Sequence, residues 1–120
     1  MTTPTEASKA LAPLFLVDPE GEGPWSLCLS DSESPVELFE EEGHSGNGYA
    51  WDSVARIAMR GLSQPDRDAI EFGSEAGTFV ALCSAEGPLL NLGIELAKLL
   101  RDDEALRLAI RSVPEEDWDD

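Results

Sequence analysis

Apolar and polar positions along this chain recur at two periods, one near two residues and one near 3.6. Trp25, Leu27 and Leu29 alternate with Ser26, Cys28 and Ser30, the mark of a strand with one buried face. Before it, the run Leu14, Phe15, Leu16, Val17 is closed by Asp18-Pro19-Glu20-Gly21, which predicts a buried strand and a turn. Together the two runs predict a hairpin across residues 18–24. A second hairpin is predicted from residues 69–72 and 78–83, across Gly73-Ser74-Glu75-Ala76-Gly77. Helical spacing takes over at Trp51, Val54, Ala55, Ala58 and Leu62. This predicts a helix over about 48–60, with Asn47 as its N-cap and Gly61 where a C-cap glycine belongs. Gly87-Pro88 opens another helix, striped by Leu89, Leu92, Leu96, Leu99 and Leu100. Asp102 or Asp103 caps a last one, with Leu106, Ala109, Ile110 and Val113 inward and Pro114 at its end. Residues 36–42 read as a short strand or irregular chain, and 63–68 as a polar connection. The expected fold class is α+β: a small antiparallel sheet packed on one face by two to three helices. The expected organisation is one domain, 1–120, with mobile ends near 1–10 and 114–120.

Composition changes the picture through charge. Asp plus Glu number 25 and Lys plus Arg 8, so the formal net charge is 8 − 25 = −17. An apolar share of 42 % is enough to fill a core, so the acidity belongs to the surface of a folded domain. A sequence-independent nucleic-acid binder is excluded, because it needs Lys and Arg to displace counterions from phosphate. Docking on anionic lipid is disfavoured on the same ground, and no apolar run approaches the ~20 residues of a membrane span. The first residues lack the basic start and apolar stretch of a signal peptide, so the expected location is cytoplasmic. Cys28 and Cys83 stand in strand-like apolar runs and read as buried free thiols. The charge is also patterned. Residues 10–55 contain no Lys or Arg but ten acids, among them Glu37, Glu40, Glu41, Glu42 and Asp52. Solubility asks for a net charge of only about 2–8 in a small domain. The excess points to a surface that meets a basic protein partner, with electrostatically steered association.

The densest local signal is Glu40-Glu41-Glu42-Gly43-His44-Ser45-Gly46-Asn47-Gly48-Tyr49-Ala50-Trp51-Asp52. Its glycines call for unusual backbone angles or close approach of another chain segment. As a metal site it lacks the alternating ligands of a calcium loop, and no metal or cofactor is expected. As a phosphate cradle it has neither the dinucleotide spacing nor a following Lys, and three glutamates stand upstream. An acidic hydrolase would have only His44 beside carboxylates such as Asp52, with no nucleophile elbow, so no catalytic residue is assigned.

This segment resembles a family of small bacterial immunity proteins, immunity protein family fifty-one of polymorphic toxin systems. The motif Gly-x-x-Gly-Asn-Gly-Tyr-x-Trp, opening a helix, is met by Gly43, Gly46, Asn47, Gly48, Tyr49 and Trp51. Ala50 departs from the Asp expected between Tyr and Trp. A second similar block is Ser74-Glu75-Ala76-Gly77-Thr78-Phe79-Val80, and the resemblance runs from about Phe15 to Ile110. It implies a non-catalytic inhibitor that binds and neutralises a cognate toxin domain, many of which are nucleases with basic clefts. The glycines, Asn47, Tyr49 and Trp51 then shape the fold, and Glu40, Glu41, Glu42, His44 and Asp52 form the centre of the expected partner-binding surface, with Glu37 and the 18–22 loop as its rim. Two alternatives stand beside it: an acidic adaptor module for some other basic protein, and a small acidic hydrolase.

Overall fold

The computed structural model describes residues 11–19, 21–30 and 35–118. Four strands form one antiparallel sheet in the order β1-β2-β4-β3: β1 Phe15–Val17, β2 Trp25–Ser30, β3 Glu71–Phe72 and β4 Thr78–Cys83. Among the described residues five α-helices accompany them: α1 Val36–Glu40, α2 Gly48–Ala58, α3 Gln64–Ala69, α4 Glu86–Leu100 and α5 Asp103–Ser112. The α+β class and both predicted hairpins are present. Residues 36–40, expected as strand or irregular, are helical instead. Their alternation of Val36 and Leu38 imitates a strand, but the single turn is set by packing, with Leu38 and Phe39 buried. Residues 64–69, expected as a polar connection, are also helical. Ser63 caps α3 by accepting from the Asp66 N–H, and Pro65 sits in its first turn. No residue of α3 is buried, so it has no apolar stripe to betray it.

The pleat explains which face the helices cover. Opposed residues of an antiparallel pair share a face, and the register joins Leu16 to Leu27, Leu27 to Ala81 and Leu29 to Phe79. These side chains are buried and form one core with Trp51 and Val54 of α2 and Leu89, Leu92 and Leu96 of α4. Helix α5 then closes over α1, α2 and α4 with Leu106, Ala109 and Ile110. A fully buried Leu or Ile side chain contributes about 1.5–3 kcal/mol, and this core holds many. The opposite face of the sheet carries Phe15, Val17, Ser26, Cys28, Val80 and Leu82.

One contact fixes how α2 meets the sheet. The Gly48 N–H donates to the Ala76 carbonyl at 3.1 Å, in the turn between β3 and β4. A Cβ at Gly48 would collide with the backbone carbonyls of Glu75 and Thr78. Only glycine permits that approach. Gly46, at φ +72, lies less tightly against Val36, whose Cα would stand 3.0 Å from an added Cβ. Asn47 then accepts from the Ala50 N–H at 2.9 Å and starts the helix as predicted. Gly61, expected as a C-cap, ends a short 3-10 turn that extends α2.

Residues 114–118, expected within a mobile end, are seated against the domain. The Ser53 hydroxyl donates to the Asp117 carbonyl at 3.2 Å, and Trp118 packs on Phe39 with ring centroids 6.3 Å apart. The expectations for residues 1–10 and 119–120 lie outside the described residues.

Gly48→Ala is expected to destabilise the fold by about 3 kcal/mol, because two backbone carbonyls must move. Gly43→Ala should cost only about 1 kcal/mol, since its φ of +85 is strained for alanine but its Cβ meets open space. Urea midpoints of the two variants test this, and equal midpoints would contradict the docking argument.

Candidate functional site

The acidic segment after β2 forms a ridge. Helix α1 presents Glu37 and Glu40 to solvent, on the far side from buried Leu38 and Phe39. Neither carboxylate has an ion partner among the described residues. The chain then turns through Glu41, Glu42 and Gly43, and the His44 N–H returns to the Phe39 carbonyl at 3.0 Å. Phe39 in turn lies 5.2 Å from Trp51, centroid to centroid and tilted by 59°, so the ridge is anchored to the core through packed aromatic rings.

The fold supplies cations that the local sequence lacks. Arg107 on α5 grips Glu41 with its Nε at 3.0 Å and Nη2 at 3.4 Å from the two carboxylate oxygens. Its Nη1 reaches Glu104 at 3.2 Å. One turn on, Arg111 lies 3.4 Å from Glu42. The absence of bases in residues 10–55 therefore does not leave all their carboxylates unpaired. The i, i+4 spacing of Arg107 and Arg111 puts both on one face of α5, a legible signal that chain order alone does not connect to α1. Five carboxylates (Glu37, Glu40, Glu41, Glu42 and Glu104) meet two guanidiniums, so 2 − 5 leaves the ridge with a formal charge of −3. The Arg107 hydrogen bond, aided by its charge, holds the Glu41 carboxyl below its ordinary value.

The remaining expected site residues divide. His44 stays beside the ridge, with its ring stacked on Trp118 at 3.6 Å and 15°. Asp52 does not join it. The residue is only 6 % exposed, and its carboxylate accepts a 2.5 Å hydrogen bond from the Ser74 hydroxyl, which itself accepts from the Val80 N–H at 2.8 Å. Asp52 thus ties α2 to the β3–β4 turn. The motif members Gly48 and Trp51 are likewise buried, Asn47 is half-buried, and Tyr49 is 39 % exposed. Trp118, which the sequence places in an acidic tail of five carboxylates, packs against Phe39 and His44 in this region.

Burial pushes the Cys28 thiol up to about 11, so it is protonated and unreactive near neutral pH. Among the described residues no three His, Cys, Asp or Glu side chains converge as metal ligands. No helix is long and apolar enough to cross a membrane.

The Glu41–Arg107 pair has a definite pH signature. A carboxyl whose folded value is depressed adds stability above the free glutamate value, roughly 4.3, and loses it as pH falls through the depressed value. Arg107→Ala should therefore melt below the wild type at neutral pH, with the gap closing in acid. Thermal melts between neutral and strongly acidic pH test this, and a gap unchanged by acid would refute the pair's contribution.

The two blocks that carry the family resemblance thus form one structural unit: Gly48 lies under the Glu75 and Thr78 carbonyls, and Asp52 is tied to Ser74. A comparison with protein families matches the family described as immunity protein 51 over residues 14–114. Searches of curated proteins and of solved structures give no significant match. The matched span takes in every strand and helix from β1 to α5, and the chain belongs to the immunity protein 51 family.

Proposed function

We propose that this immunity protein neutralises its cognate toxin by binding a basic surface of it through the ridge of Glu37, Glu40, Glu41, Glu42 and His44. The observation that carries the reading is the placement of charge. Glu37 and Glu40 are exposed and unpaired among the described residues, on a helix pinned to the core, within a chain of net charge −17. A rigid mount matters because carboxylates already fixed in place lose little conformational entropy on binding. Arg107 and Arg111 serve the same end, since they order Glu41 and Glu42 without cancelling the ridge's charge.

The target that fits such a ridge is a cleft lined with Lys and Arg. Nuclease toxins need that lining to hold phosphate, so the proposed toxin is a nuclease whose groove the ridge occupies in place of nucleic acid. The proposed site of action is the cytoplasm, where nucleic acid is the substrate to be protected. Inhibition then needs no catalysis by this protein, only occupancy. A toxin–inhibitor contact of standard size buries about 1,600 Å² in total, within reach of a domain with 6278 Å² of accessible surface.

Reversing Glu37 and Glu40 to Lys changes exposed, unpaired positions and should leave the fold intact. Association of the double variant with the toxin domain encoded by the adjacent gene should slow by roughly tenfold or more at low salt. The difference from wild type should shrink as salt screens the ridge. Unchanged association rates in a folded variant would refute the ridge as the binding surface.

A further inference from the structure

Among the described residues no helix packs on the second face of the sheet, which is built from two cross-strand rows. One row runs Val17, Ser26, Leu82, Glu71, and the other runs Phe15, Cys28, Val80. Helices α2 and α4 pack on the opposite face, so these side chains contribute nothing to the core beneath them. Phe15 is 41 % exposed, and Val17, Val80 and Leu82 are half-buried. An apolar patch in the middle of a sheet, on a chain this acidic, is the arrangement of a contact centre within a polar rim.

Charge identifies what the face accepts. Eight bases less Lys9, which lies outside the described residues, leave seven, and all seven stand on helices or the turns that end them. No described residue of the four strands, nor of the described part of the 18–24 loop, is basic; that rim carries Asp18, Glu22 and Glu71. At one end of the face lies a hollow of about 540 Å³ between the β1–β2 loop and β3, lined by Pro24, Leu82, Ser84 and Glu71. Leu82 provides an apolar wall, and Glu71, without an ion partner among the described residues, an exposed carboxylate. That pairing suits a long cationic side chain, whose methylene stem lies on apolar surface while its head meets the carboxylate. A second copy of this chain is a poor occupant, since two bodies of charge −17 repel.

We propose that this sheet face is a second docking surface for the basic toxin, with an apolar patch of the toxin on Phe15 and Val80 and one Lys or Arg side chain in the Leu82–Glu71 hollow. The proposal rests on the toxin-binding reading but uses residues that the acidic ridge does not include.

Binding of the adjacent-gene toxin domain to the full chain tests it, with Glu71→Lys and Phe15→Ser as single variants and Glu95→Lys as a control of equal charge change on α4. Both residues are exposed, and thermal melts confirm folding of each variant. Each single variant is expected to weaken binding roughly tenfold, chiefly through faster dissociation, while Glu95→Lys changes it little. Wild-type affinity in both folded variants would overturn this surface and leave the ridge standing. Absence of any toxin binding by the wild type would overturn both readings. A dimer of the wild type that Phe15→Ser dissolves would assign the face to a second copy and overturn the proposal.

Discussion

The structure depends on one close approach, the first turn of α2 laid directly under the backbone of the β3–β4 turn. At Gly48 the two backbones are in contact, and a side chain would hold them apart. Everything that follows along α2 inherits this position. Asn47 caps the helix on the solvent side of the contact, Asp52 meets Ser74 on the sheet side, and Trp51 is driven into the core. Trp51 then receives Phe39, which fixes α1, and Phe39 receives Trp118, which fixes the end of the chain. A backbone contact thus propagates through three aromatic rings to the acidic ridge. Buried aromatic packing of this kind is resistant to rearrangement, because each ring fills space that water cannot occupy cheaply.

The electrostatics are organised on that frame. A net charge of −17 in 120 residues costs stability through self-repulsion, and the fold relieves the cost selectively. Two arginines on α5 are placed against the last two glutamates of the ridge, while Glu37 and Glu40 have no ion partner among the described residues. The bases of the described chain gather on the helical layer, so the sheet and its β1–β2 loop are left purely acidic. The chain belongs to an immunity protein family, and in the function proposed above this asymmetry serves the contact with the toxin. A surface of one sign both speeds the encounter and rejects partners of the same sign.

Much of this was legible in the sequence, for identifiable reasons. Trp25, Leu27 and Leu29 alternate because the second sheet face is left partly open, so β2 announces itself. The leucine stripe of α4 and the Asp102 cap of α5 are equally plain, since burial and capping are local. Helices α1 and α3 escaped because one is a single turn held by distant Phe39 contacts and the other buries nothing. The role of Asp52 was hidden for the same reason. Its helical position suggested a surface acid, and only the fold brings Ser74 beneath it. The arginines that pair with Glu41 and Glu42 lie 66 and 69 residues further along, out of reach of any local pattern.

The account holds that this chain is an acidic inhibitor whose toxin contacts α1 and the helix-free sheet face, while the rear of the helical layer stays clear. Amide hydrogen exchange of the protein, alone and saturated with the adjacent-gene toxin domain, tests it directly. The account predicts slowed exchange in residues 36–44 and in β1, β2 and β4, with α3 and the middle of α4 unchanged. Protection concentrated on α3 and α4, with the ridge and sheet exchanging as in the free protein, would contradict it.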